Sequence, residues 1–245
     1  MRLEAHLLCL NEAKLVPYVM DYWKEADKIY LYDNGSTDGS VELLSKYPNV
    51  EVIPFSTGGF VDEFALTHMR NTQWQRSKES ADWIAVCDFD EVPYAPDGLK
   101  ATLMRHSGAL RTKMHQIVCD YFPEYNPNLL LHQNKGIRYY DKDTHFDKTL
   151  LFPVKNLNVI NFALGSHNCH PNILIEQYPA DISILHLKYL GKDYILEKSR
   201  RLYENLRPDI KAAGGIDWHY KKIVEDYDNY MKEILMYSYP VDQER

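Results

Sequence analysis

The 245-residue sequence predicts an α/β fold: a mostly parallel sheet with helices on both faces, followed by a C-terminal helical tail. Three observations predict it. Short apolar runs recur at Leu3 to Leu10, Lys28 to Tyr32, Val50 to Phe55 and Trp83 to Cys87, each ending in polar residues. The segments between them carry apolar residues at helical spacing, and alternation of strand and helix builds parallel sheets. Finally, Ile223, Tyr227, Tyr230, Met231, Ile234 and Leu235 fall on one face of a helix near the C-terminus.

The elements follow in order. After the first strand, Leu15, Val16, Val19, Met20 and Trp23 mark a helix. After the second, Ser36 or Thr37 is expected to cap a helix running to about Lys46. Thr57-Gly58-Gly59 ends the third strand, and a helix is expected from about Asp62 to Ser77. The middle is less regular, with short strands expected at Ala109 to Tyr121, Thr149 to Phe152 and Ser183 to Leu187. The tail helix mixes Lys221 and Lys222 with Glu225, Asp226 and Asp228 on its polar face, which suits packing on a domain better than lying on a membrane. Residues 1–200 are expected to form one domain and residues 201–245 a helical extension packed on it.

Composition narrows the partners. The net charge of −7 argues against nucleic acid, which calls for a basic stripe. Cys9, Cys87, Cys119 and Cys169 have no CxxC spacing and read as reduced core thiols of a cytoplasmic protein. The apolar run at the N-terminus is too short for a signal peptide, and no stretch reaches transmembrane length. Peripheral contact at the inner face of a membrane stays open. The 19 tyrosines suit core-edge packing, and some suit a sugar-sized polar cleft.

In an open parallel sheet, ligands bind beyond the carboxyl ends of the strands. Here those ends carry Asn11-Glu12, then Asp33-Asn34-Gly35-Ser36-Thr37-Asp38, then Ser56-Thr57-Gly58-Gly59, then Asp88-Phe89-Asp90-Glu91. The glycine-rich phosphate-loop patterns GxGxxG and GxxxxGK[ST] are missing. A diphosphate at this edge would need a cation from elsewhere, which a divalent metal on carboxylates supplies. Asp-x-Asp also occurs at Asp141-Lys142-Asp143 and Asp226-Tyr227-Asp228, but only Asp88 and Asp90 follow an apolar strand.

These motifs, with Asp82-Trp83-Ile84 ahead of the acidic turn, resemble the family 2 class of glycosyltransferases, in the branch whose metal motif reads Asp-x-Asp-Glu. Lys148 before Leu150 to Pro153, Gly165-Ser166-His167, and Ile184-Leu185-His186 followed by Lys198 resemble the same branch, so the likeness covers about residues 3–200. The stretch Asp120 to Leu131 departs from the pattern. The resemblance implies a GT-A-type, Rossmann-like fold and an inverting, metal-dependent hexosyltransferase. The donor would be a nucleotide-sugar, expected to be a UDP-sugar, and the acceptor a glycan or lipid-linked glycan in surface polysaccharide or lipopolysaccharide synthesis. It further implies that Asp33 receives the pyrimidine, that Asn11 and Glu12 flank the base with Asn34 nearby, and that Asp88 contacts ribose or metal. Asp90 would bind Mn²⁺ or Mg²⁺, and Arg70, Lys148 and His167 would approach the donor. A non-catalytic nucleotide-sugar or glycan-binding module and a nucleotidyltransferase are the competing readings.

His186 is read as ending a short apolar strand, Ile182 to Leu185, and is weighed as a third metal ligand against a satisfied core histidine. His167 and His170 have His-x-x-His spacing, which lacks a second pair for zinc. Transfer with inversion needs a base for the acceptor hydroxyl. Asp147, Glu124 and Glu91 are the candidates, Asp147 first because it precedes Lys148.

Overall fold

The computed structural model describes residues 1–142, 144–209 and 218–241. In chain order the elements are β1 (Leu3–Cys9), α1 (Val16–Tyr22), β2 (Lys28–Asp33), α2 (Ser40–Leu44), β3 (Val50–Pro54), α3 (Glu63–Thr72), β4 (Trp83–Asp88), β5 (Glu91–Tyr94) and α4 (Leu99–Leu103). They continue with β6 (Ala109–Thr112), β7 (Met114–Cys119), β8 (Arg138–Tyr140), β9 (Lys148–Pro153), β10 (Ile175–Gln177), β11 (Ser183–Leu190) and α5 (Lys192–Glu204). The last are α6 (Trp218–Glu225), α7 (Tyr227–Tyr237) and β12 (Tyr239–Pro240). The expected α/β class with a mostly parallel central sheet is the one observed.

The chain forms two compact units, neither a single run of sequence. The first comprises residues 1–56, 63–114 and 143–185, and the second residues 57–62, 115–142 and 186–245. A boundary at residue 200 therefore falls inside α5, within the second unit.

The first unit holds a seven-stranded sheet in the order β10-β6-β9-β4-β1-β2-β3. Strands β1, β2, β3 and β4 run parallel, and β9 is antiparallel to both β4 and β6. The chain winds outward from β1 through β2 to β3 and then returns to place β4 on the other side of β1. That reversal makes the carboxyl ends of β1 and β4 a topological switch point, where open α/β sheets bind ligands. One core cluster packs Trp74, Ile84, Val86, Ala109, Phe152 and Phe162.

β1 is buried along its length and yet carries Glu4 and His6. Both are satisfied: Arg2 Nε donates to Glu4 at 2.6 Å, and the His6 ring nitrogens lie 3.0 Å from Tyr32 Oη and 2.7 Å from Ser77 Oγ. Burial, helped by the charge of Arg76, lowers the His6 pKa to about 3. A histidine that stays neutral when folded takes up a proton on unfolding. The unfolded chain therefore binds more protons between pH ~6.5 and about 3, and stability falls on acidification through that window by up to about 1.4 kcal/mol per pH unit. The urea midpoint of His6→Gln, which cannot titrate there, should fall less than wild type between pH 7 and pH 4. Parallel decline of the two proteins would contradict this.

In the second unit β12, β8, β7 and β11 are neighbours in that order, with the β12–β8 and β8–β7 pairs antiparallel. Val61 N–H donates to Asn205 O at 2.7 Å and Arg207 Nη1 to Asp62 at 2.8 Å, which ties residues 57–62 to the end of α5. The Tyr189 and Tyr230 hydroxyls lie 2.9 Å apart.

Several boundaries differ from expectation. The helix expected from Ser36 or Thr37 starts at Ser40, because Ser36 and Asp38 spend their side chains on backbone N–H groups of the β1 loop and Gly39 takes a left-handed φ of 92° before the first turn. The strand expected from Ala109 to Tyr121 is two strands, β6 and β7. His186 lies inside β11 rather than at a strand end, because alternating burial continues through Leu187 and Tyr189. The tail is two helices, broken at Asp226, whose φ of −148° is non-helical. Asp143, in the second Asp-x-Asp, lies outside the described residues, as do parts of the 201–245 extension.

Candidate functional site at the carboxyl edge of the first unit

Strand register aligns the acidic ends. Leu8 pairs with Asp88 and Cys9 with Asp33, so the carboxylates leave β4 and β2 on either side of the end of β1. β4 pairs with β9, Ala85 with Leu151 and Ile84 with Phe152, and the charge of Lys148 at the start of β9 acts on Asp88 at the end of β4. Running β9 antiparallel thus brings Asp147 and Lys148 to an edge that in sequence lies about sixty residues earlier.

The loops after β1 and β2 are laced together. Asn11 adopts a left-handed φ of 54°. Its N–H donates to Ser36 Oγ at 2.8 Å, and its side-chain oxygen accepts the Thr37 N–H at 2.6 Å. Glu12 N–H donates to Ser40 Oγ and Ala13 N–H to Asp38. The Asp33 carboxylate accepts N–H groups of Gly35 and Ser36 at 3.1 Å, and Asn34 N–H donates to Cys9 O at 2.9 Å. Gly35, at a φ of 87°, permits this turn. Asp33 therefore shapes its own loop, a role the sequence reading did not include.

Around the turn after β4 the charges alternate. Arg70, on α3 and 4% exposed, donates from Nη2 to Asp88 at 2.5 Å. Glu91 begins β5 and pairs with Lys148; the two are buried. Burial raises the Asp88 carboxyl, but the charges of Arg70 and Lys148 outweigh it and hold the pKa below the ordinary value, while Asp90 pushes the other way. Burial lowers Lys148, yet Glu91 and Asp88 leave its pKa raised. Glu63, on the first turn of α3, was not among the sequence candidates. Burial raises its pKa against the opposing charge of Arg70, and Gly165 N–H donates to its carboxylate.

The remaining candidates divide. Asp147 is buried and accepts the Met114 N–H at 2.9 Å. His167 is half-buried, its carbonyl accepts Arg111 Nη1 at 3.2 Å, and its ring lies 6.5 Å from Phe146. Glu124, which is exposed, and His186 belong to the second unit. All four cysteines are free and buried.

Among the described residues, no group of three or more His, Cys, Asp or Glu side chains is gathered to hold a metal. Asp88 is engaged by Arg70 and Glu91 by Lys148. This donor set fits a hard divalent cation that takes one or two carboxylates and fills its shell with phosphate oxygens and water. It does not fit an all-protein cage.

Residues 18–113 match the family model described as Glycosyltransferase family 92, less than half of the chain. The match supports a glycosyltransferase enzyme, in family 92 terms where the motifs resemble family 2. No curated protein matches the chain. Among solved structures the chain is similar to glucosyl-3-phosphoglycerate synthase from Mycobacterium tuberculosis in complex with Mn²⁺, UDP and glucosyl-3-phosphoglycerate. That similarity has 18% identity and a TM-score of 0.33, over 47% of this chain and 44% of that one. A second complex of the same synthase, with phosphoglyceric acid, has 20% identity and a TM-score of 0.32, over 47% and 43%. A 4-diphosphocytidyl-2C-methyl-D-erythritol synthase has 12% identity and a TM-score of 0.34, over 63% and 76%. The chain thus spans less than half the length of the first two. Among the described residues no helix is long and apolar enough to cross a membrane.

Proposed function

We propose that the first unit carries a metal-dependent glycosyltransferase site that moves a hexose from a nucleotide-sugar, a UDP-sugar by preference, to a glycan hydroxyl with inversion. The observation that carries this reading is the acidic turn Asp88–Glu91 at the switch point between β1 and β4, facing a β1–β2 loop pair held rigid by its own hydrogen bonds. The family 92 match over residues 18–113 spans the β2 loop and the acidic turn, starting after the β1 loop, and supports it. Loop-borne polar groups on a rigid sheet are well suited to receive a nucleoside.

In this reading Asn11, Glu12 and the Asp33–Asp38 turn hold the nucleoside, and Asp88 and Asp90 would hold Mn²⁺ or Mg²⁺. When bound, that ion supplies countercharge to the diphosphate leaving group. Arg70, fixed by Asp88, adds a second positive charge close to the acidic turn. Lys148 pairs with Glu91, and with Arg70 it holds Asp88 below the ordinary carboxylate range, so Asp88 is anionic at neutral pH. Asp147 remains the first candidate for the base that takes the acceptor proton.

A thermal-shift screen tests the proposal. In Mn²⁺, a UDP-hexose at a hundredfold its Kd should stabilise the protein by about 2.7 kcal/mol, and EDTA should reverse the gain. Melting temperatures unmoved by any nucleotide-sugar, with or without Mn²⁺, would sink it. Donor binding without release of nucleoside diphosphate in the presence of acceptor glycans would instead favour a binding module.

A further inference from the structure

Helix α3 carries a polar stripe of which the proposed chemistry uses only the charge of Arg70. Glu63, Thr67 and Arg70 stand at i, i+4 and i+7, one face of the helix. On that face Glu63 Oε2, Thr67 Oγ1, Arg70 Nε and Arg70 Nη1 are shut off from solvent and lack a hydrogen-bond partner among the described residues. Buried polar atoms are normally paired, so four along one stripe call for an occupant.

The surroundings hold these side chains in place. Gly165 N–H engages the Glu63 carboxylate, so it is the other oxygen that is left over. Asp88 takes Arg70 Nη2 and leaves the remaining guanidinium nitrogens. The stripe therefore offers an acceptor at Glu63, a hydroxyl of either sense at Thr67, and two donors at Arg70. A phosphate cannot donate to Glu63 and is repelled by it. A metal ion is repelled by Arg70. A hydroxyl donates to the carboxylate and accepts from the guanidinium at once, and a sugar presents several.

We infer that the Glu63–Thr67–Arg70 face of α3 is a subsite that recognises hydroxyl groups of the sugar carried by the nucleotide. The inference rests on the nucleotide-sugar reading above. It adds a specificity site, contributed by Glu63 and Thr67, to the nucleotide-holding loops.

Calorimetric titration of the full chain in Mn²⁺ separates the two. The probes are UDP and whichever of UDP-glucose, UDP-galactose and UDP-N-acetylglucosamine binds tightest. Thr67→Val and Glu63→Gln should each weaken the UDP-hexose at least tenfold while UDP binding stays within twofold, and Thr67→Ser should restore hexose affinity. Melting temperatures near wild type establish that the variants are folded; should Thr67→Val fail to fold, Glu63→Gln with Thr67→Ser carries the comparison. Equal loss of UDP and UDP-hexose, or no loss of either, overturns the subsite, the second outcome meaning that only buried water occupies the stripe. If wild type binds neither probe, the nucleotide-sugar reading fails and the subsite with it. If wild type binds both equally well, the sugar makes no contact and the subsite alone fails.

Discussion

Asp90→Ala should lower glycosyl transfer at least about a hundredfold, the scale on which loss of one charge-stabilising group acts in catalysis, and should remove the gain in melting temperature from UDP-hexose in Mn²⁺. Asp90 is 7% exposed, lies two residues past the end of β4, and raises the pKa of Asp88 by its charge, so the two carboxylates share one field. Asp88 is engaged by Arg70, and on the proposed reading Asp90 is the carboxylate that holds the cation on the diphosphate. Asp226→Ala is the control. Asp226 belongs to an Asp-x-Asp of the same spacing, but it sits between α6 and α7, where it accepts Asn229 Nδ2 at 3.1 and 2.9 Å. It should change neither transfer nor Mn²⁺ response. Equal losses from both substitutions would mean that position at the sheet edge does not decide which motif works.

Lys148→Met should cost about 3–5 kcal/mol of unfolding free energy. Lys148 and Glu91 are 5% and 2% exposed and are paired. Removing the ammonium leaves a buried carboxylate without countercharge, and desolvation of that charge is the dominant cost. Adding Glu91→Leu should recover much of the loss, since an apolar pair of similar volume avoids burying charge altogether. Urea unfolding of the single and double variants reads both effects. A single variant within about 1 kcal/mol of wild type would show that water or another cation reaches Glu91. Loss of activity in Lys148→Met without loss of stability would instead make Lys148 a donor-binding residue, the role the family resemblance implies.

Much of the first unit was legible in the sequence. The four apolar runs became β1 to β4, because buried parallel strands are apolar along their length and end in polar loops. Of the three Asp-x-Asp motifs, Asp88–Asp90 is the one that ends a buried strand, as the apolar run ahead of it implied. Local signals were weaker where side chains answer distant partners. Ser36 and Asp38 have the chemistry of helix caps, but they bond the β1 loop, and the helix waits until Ser40. The family resemblance implies that Asp33 receives a pyrimidine; in the fold its carboxylate closes its own turn onto Gly35 and Ser36.

What the sequence determined by itself is which strand ends are polar and acidic, since that depends only on the order of residues along each strand. What the tertiary structure alone decided is which distant residues meet there. Antiparallel insertion of β9 delivers Lys148 to Glu91 and within reach of the Asp88 charge, and one face of α3 carries Glu63, Thr67 and Arg70. It also divides the candidates, leaving the base candidate Glu124 and the metal-ligand candidate His186 in the second unit. The physical reason is that strand register and helix docking are set by burial summed over whole elements, so no local pattern records which charge will find which partner.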